Sequence, residues 1–284
     1  MQRNVLSSLV ILVLLTASPV MAIVTNDTAT SATDPSNYSS YNLSSLDWDG
    51  VYQFGTSAGK TMTAVGSYWL ISSRHYTLSA GNTFTQDGVT YTIQEVVNHS
   101  ASDDPNHDYD ADLTLIRVDK ALSTYYDIYD GASITNKVVA MIGTGHAAGT
   151  VSSTSYTWSD STSRVRRWGT NKVDFAYSDY AMGTYTEDIL GAYFTLGNTT
   201  YEAGAADHDS GGGWLVYDTL SGTWELVGLN IAVMGTTGAY TGSVAIDLRD
   251  YADWIDSVIS VPEPVTVAIL TLGGCAVLLR RRRK

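Results

Sequence analysis

A single cysteine stands in the 284 residues, Cys275, and it lies in the C-terminal tail. The body of the chain therefore has no disulfide, no thiolate metal site and no cysteine nucleophile. Proline is scarce as well, 5 residues against 25 glycines and 19 tyrosines, a balance that suits many short strands joined by turns. Charged residues make up only 16% of the chain and hydrophobic ones 44%, which suits a folded, β-rich, exported protein better than a disordered one. Basic residues are fewer still. Six of the 16 are Arg3 and the run Arg280–Lys284, so the body sets 10 against 29 acids. Phosphate backbones would be repelled, which argues against nucleic acid as a partner. No repeat of solenoid or propeller period is visible.

Both ends read as addresses. After Arg3, residues 4–22 form an apolar run that closes on small residues, with Val20 and Ala22 placed for signal peptidase. Residues 1–22 are therefore expected to be a cleaved secretory signal. At the other end, Pro-Glu-Pro at 262–264 precedes an apolar stretch, 265–279, and the Arg280–Lys284 cluster. That stretch is short for a full membrane span, which takes ~20 residues. Residues 261–284 resemble the PEP-CTERM sorting signal. The resemblance implies a Gram-negative-type bacterium, transient anchoring in the membrane, and an exosortase-type enzyme that removes the tail. The protein would then pass from periplasm to cell surface or extracellular matrix.

Between the ends, residues 23–46 read as a loose polar arm and 47–260 as the folded domain. Short apolar or alternating runs recur from Trp48 onward, among them VYQF (51–54), DLTLIRV (112–118), KVVAMIG (137–143) and WELVGLNIAV (224–233). They predict an all-β chain, a barrel or a sandwich. One helix is expected at the end of the body. Tyr251, Trp254, Ile255 and Val258 make its apolar stripe, and Asp247 is placed to cap it.

The string HDSGGG, His208 to Gly213, raises the possibility of a serine nucleophile in a tight turn. All five histidines precede Ser210, so the Ser–acid–His order of an α/β-hydrolase is excluded. What remains is His, Asp, Ser. His75 stands at the exit of the apolar run Tyr68–Ile71, and Asp112 opens DLTLIRV, where the buried strand start would hold a carboxylate in place. Asp108 and Asp110 compete with Asp112.

The set resembles the chymotrypsin-like serine peptidases in their disulfide-free bacterial form. It comprises WLISSRH ending at His75, DADLTLIRV with Asp112, MIGTG (141–145), DSGGG (209–213), LVGLNIAV (226–233) and GSVAIDLRDYADWI (242–255). The resemblance implies two antiparallel six-stranded β-barrels with a C-terminal helix, and cleavage of protein or peptide substrates without metal or cofactor. Ser210 would be the nucleophile, His75 the base, and Asp112 its orienting acid. The N–H groups of His208 and Ser210 would form the oxyanion hole. The specificity pocket would have Gly204 as floor and Val233 and Gly242 as walls, favouring small or medium apolar side chains. Signal cleavage would free Ile23, whose α-ammonium would pair with Asp209.

Departures from the family pattern are His208, where glycine is usual, and Ser73-Arg74 before His75. A catalytically weak or inactive module of the same family pattern that binds matrix or surface proteins is the alternative. His99, His107 and His146 read as surface or loop histidines. Asp104 to Asp110 imitates a calcium loop but has Tyr109 at the sixth position and Leu115 at the twelfth, so a solvated acidic loop is the preferred reading. Arg164, Arg166 and Arg167 form one basic cluster, read as a surface loop.

Overall fold

In the computed structural model, residues 23–26, 30–55, 59–159 and 165–260 are described. The expected secretory signal, residues 1–22, and the expected sorting tail, 261–284, lie outside them. No helix among the described residues is long and apolar enough to cross a membrane.

Strand β1 (Val24–Thr25) opens the described chain. Six strands then form one antiparallel sheet: β2 (Val51–Phe54), β3 (Lys60–Gly66), β4 (Trp69–Ser73), β5 (Thr83–Gln86), β6 (Val89–Asn98) and β7 (Leu113–Val118). Their order is β2-β3-β4-β7-β6-β5. The Gln86 side chain joins the two edges, accepting from Gln53 N and donating to Val51 O, each at 3.3 Å. The sheet is a nearly closed six-stranded barrel. Alternate residues fill it, among them Met62, Leu70, Phe84, Ile93 and Ile116, as the two-residue period of a strand requires.

The second half supplies β8 (Val138–Gly143), β9 (Ala147–Val151), β10 (Tyr156–Ser159), β11 (Arg167–Lys172), β12 (Phe175–Met182) and β13 (Tyr185–Tyr193). It continues with β14 (Ala203–Gly204), β15 (Gly213–Asp218), β16 (Thr223–Thr236) and β17 (Ala239–Asp247). The path β11-β8-β15-β16-β17-β10-β9, with β13 also on β17 and β12 on β13, curls into a half-barrel. Val139, Met141, Trp214 and Val227 pack together in one buried core of this sheet. A shared core, including Ile71, Leu113 and Leu115 from one sheet and Ile142, Leu215 and Leu229 from the other, joins the two.

The chain ends in α1 (Ala252–Ile259), which buries Trp254 and Ile255 in that shared core. Asp247 does not cap it. Its carboxylate grips Arg249, at 2.8 Å and 2.5 Å, and Tyr251 precedes the helix with no side-chain cap.

The arm is packed rather than loose. Three short 3-10 turns, Thr30–Ala32, Pro35–Asn37 and Ser40–Ser45, lie in it. Leu43 and Leu46 are buried, and Trp168 Nε1 donates to Thr33 O at 2.7 Å. The few apolar residues of this polar stretch carry its packing. The basic cluster is also not a free surface loop. Arg166 pairs with Asp49 at 2.6 Å and lies over the Trp48 ring, while Arg167 is buried at 1% exposure. Arg164 is outside the described residues.

Candidate active site

Strand register brings His75 and Asp112 together. Ser73 of β4 pairs with Leu113 of β7, so the residue before β7 meets the chain just past β4. Arg74 N donates to Asp112 O at 3.0 Å, and His75 N donates to Asp112 Oδ1 at 2.6 Å. His75 Nδ1 lies 2.5 Å from Asp112 Oδ2. The carboxylate thus holds both backbone and ring of His75, places the proton on Nδ1, and leaves Nε2 as a base. Asp112 is 6% exposed. Of its competitors, Asp110 is engaged by Arg74 Nη1 at 3.0 Å and Ala101 N at 3.1 Å. The partner of His75 is Asp112.

Ser210 sits in a turn clamped to the first barrel. Gly211 has φ +87°, and a Cβ there would fall 2.0 Å from Thr61 O and 2.5 Å from Ser72 Oγ. Only glycine fits. Thr63 Oγ1 donates to Gly211 O at 2.9 Å, and Gly211 N donates to Asn230 O at 2.8 Å. The turn is thereby fixed beside Ser72, close in sequence to His75. The Ser210 hydroxyl donates to Ile231 O at 3.5 Å, and no hydrogen bond joins it to His75. Serine-to-base contacts are often looser before substrate binds.

His208 takes φ +71°, the left-handed backbone that glycine adopts without cost and other residues at ~1–2 kcal/mol. Asp207 O accepts from His146 N at 2.9 Å, and His208 O accepts from Thr61 Oγ1 at 3.1 Å. These bonds set both peptides of the turn. Since a trans peptide points its N–H opposite its C=O, the His208 N–H faces away from His146 N. The Ser210 N–H donates to no group among the described residues.

A cavity of about 340 Å³ adjoins Ser210. Val233 lines it, as do Ala205, Ala206 and Asp207, with Trp158 and Tyr240 stacked at 3.6 Å. Gly204 and Gly242 are not among the lining residues. Tyr156, fully buried, takes the space expected to be open. Its ring lies 2.3 Å from where a Gly204 Cβ would stand, and its hydroxyl donates to Ala205 O at 2.7 Å and Gly242 O at 3.2 Å. Glu202 does not line the cavity; it accepts from Thr195 N and Thr199 N.

Ile23 and Asp209 come close. Ile23 is 1% exposed and Asp209 fully buried. Val24 pairs with Gly204. A Cβ on Gly143 would fall 2.1 Å from Asp209 Oδ1 and 3.1 Å from Ile23 Cδ1, so the two side chains flank the same glycine. Asp209 also accepts from Gly145 N at 2.7 Å and Ala206 N at 2.8 Å.

One acid that sequence reasoning missed stands behind the pair. Glu187 of β13, 1% exposed, accepts the Asp112 N–H on Oε1 at 3.2 Å, and its Oε2 has no hydrogen-bond partner. Burial first, then the Asp112 charge, pushes its carboxyl up to about 7. The only local signal was a pair of acids, Glu187-Asp188, at the start of an apolar run.

His99, His107 and Asp104 are not surface groups. Asp104 Oδ2 accepts from His99 Nε2 at 3.0 Å and His107 Nδ1 at 2.7 Å, and His107 Nε2 reaches Asp188 Oδ2 at 3.1 Å. His99 is fully buried against Tyr251 and Trp254, and His107 stacks on Tyr251. Burial would lower His107, but bonds to Asp104 and Asp188 and their charges raise it overall. This relay ties the β6–β7 loop that leads to Asp112 onto β13 and α1. It does not suit a metal, because Ala111 N donates to His99 Nδ1 at 3.1 Å. That bond keeps the ring proton on Nε2, the nitrogen facing Asp104. His146 is also largely buried.

The chain matches no protein-family model and no curated protein.

Proposed function

We propose that the protein is an exported serine endopeptidase of chymotrypsin-like architecture, with a second barrel formed around the half-barrel sheet and the site between the two. The observation that carries this reading is the double grip of Asp112 on His75 beside a clamped serine turn and an apolar cavity. Ser210 Oγ attacks the substrate carbonyl while His75 Nε2 takes its proton. The Ser210 and His208 N–H groups stabilise the oxyanion. His75 then protonates the departing amine, leaving an acyl-enzyme. Water, deprotonated by His75, releases the acid and restores Ser210. The residue before the cut places a small or medium apolar side chain in the cavity. Signal peptidase would remove residues 1–22, and an exosortase-type enzyme residues 261–284, delivering the protein to the surface or matrix.

A second reading is favoured by one observation, the Ser210 hydroxyl resting on Ile231 O: a catalytically weak module of the same fold that binds matrix or surface proteins. A peptide library separates the two. Cleavage that disappears in Ser210→Ala supports the enzyme, and binding without cleavage supports the module.

A further inference from the structure

Two loops carry three metal-ligand side chains to one point beside the Ser210 turn. His146 follows β8, and Asp207 and His208 lead into the turn. Asp207 Oδ2 is 3.6 Å from His208 Nε2 and 3.9 Å from His146 Nε2. Ligand atoms of all three lie within 4.8 Å of one another, and the two rings are 4.9 Å apart. These separations are too long for hydrogen bonds between the groups. They approach the edge of a tetrahedron around zinc, where ligands at ~2.0–2.1 Å stand ~3.3 Å apart. The His99 cluster differs on both counts. Its spacings are those of hydrogen bonds, and its His99 proton is pinned by Ala111 N.

His146 has no such constraint. Its Nδ1 is buried and has no hydrogen-bond partner. Nothing therefore holds the proton on Nε2, and a proton on Nδ1 opens Nε2 as a ligand. The bond from His146 N to Asp207 O at 2.9 Å already locks the two loops together, so little ordering remains to be done. Asp207 is 61% exposed at its side chain and His208 25%, which gives an ion a route from solvent and a fourth position for water.

We propose that His146, Asp207 and His208 bind one divalent ion of the zinc class, and that the bound ion switches off the neighbouring site. The second half rests on the peptidase reading. Asp207 lines the cavity, so an apolar side chain entering it would have to pass a hydrated cation. His208, whose N–H serves the oxyanion, would be held by its ring. Ligation needs neutral imidazoles, so binding weakens as pH falls.

The test uses purified, chelator-stripped protein titrated with zinc chloride by calorimetry and with cobalt(II) chloride by visible absorption. Hydrolysis of a short chromogenic peptide is followed alongside. The expected result is one ion per chain, the intense absorption of tetrahedral cobalt, and loss of most of the rate at saturation. His146→Ala and His146→Gln, checked for folding by circular dichroism, should each weaken zinc at least about tenfold. The inhibition curve, scaled to each variant's own zinc-free rate, should shift by the same factor. Absence of binding, or equal affinity in folded His146 variants, would overturn the site. Saturated binding with an unchanged rate would overturn the switch. Protein inactive with and without zinc would remove the switch along with the peptidase reading, while calorimetry still decides the site.

Discussion

Asp112 donates its backbone N–H to Glu187 Oε1 at 3.2 Å, so a second buried carboxyl backs the acid that orients His75. With its carboxyl pushed up to about 7, Glu187 is neutral in mild acid and ionised at pH 8. Its charge then adds to that of Asp112 in stabilising the imidazolium. Glu187→Gln is expected to match the native rate at pH 6 and to fall about tenfold behind it at pH 8, about 1.4 kcal/mol of transition-state stabilisation. Stability should move the other way. A carboxyl raised from 4.5 to about 7 by folding contributes stability that is present below 4.5 and lost as pH rises through about 7. The Gln variant should therefore gain on the native protein between pH 5 and pH 8, by on the order of 3 kcal/mol. Rate profiles and urea unfolding at the two pH values check both signs.

His107 between Asp104 and Asp188 gives a second pH signature. Its raised value means stability fully present below the ordinary 6.5 and lost as pH climbs through the folded value. His107→Gln leaves two buried carboxylates without their cation. It should cost about 3–5 kcal/mol at pH 6 and distinctly less at pH 9. A penalty equal at both pH values would mean that the ring is packed but not charged.

Ile23 and Asp209 flank the same glycine, and under the peptidase reading signal cleavage before Ile23 would be the activating event. Protein beginning at Ile23 should be active, and the same protein with a few added residues should lose most of its activity, as should Asp209→Asn. A buried carboxylate lacking its ammonium would disorder the adjoining oxyanion turn. Equal activity with and without the extension, measured on a small peptide, would separate Asp209 from any such role.

The cavity sets the fourth prediction. Trp158, Tyr240 and Val233 offer apolar surface, and Tyr156 closes the space above Gly204. Peptides with Ala, Val or Leu before the cut should outrun those with Arg or Lys. Trp158→Ala should lower kcat/KM for the apolar series by about tenfold, since removing a large buried apolar surface costs 1.4 kcal/mol or more. Faster cleavage after Arg would assign the cavity to Asp207 instead.

The all-β class, the helix and the chain order His75, Asp112, Ser210 were legible because they rest on period, apolar runs and local strings. The pairing of Ser73 with Leu113 follows from those runs, and the His75–Asp112 contact follows from the pairing. Glu187 and Asp188 were not legible. Glu187 reaches Asp112, and Asp188 reaches His107, from β13, a strand distant in sequence from β7, and only the fold brings them together. The same holds for Tyr156 of β10, whose buried ring fills the space beside Gly204 and whose hydroxyl holds Ala205 O and Gly242 O. The polar arm misled for a simpler reason: two apolar pairs, Ile23-Val24 and Leu43 with Leu46, suffice to pin it, and composition averages them away.

The proposed peptidase requires Ser210 to act as a nucleophile activated by His75. A fluorophosphonate probe, followed by mass analysis of the labelled peptide, measures this directly. One label per chain is expected, on Ser210, absent in Ser210→Ala and slowed by orders of magnitude in His75→Ala with folding intact. Correctly folded protein, starting at Ile23 and free of metal, that takes no label at Ser210 would contradict it.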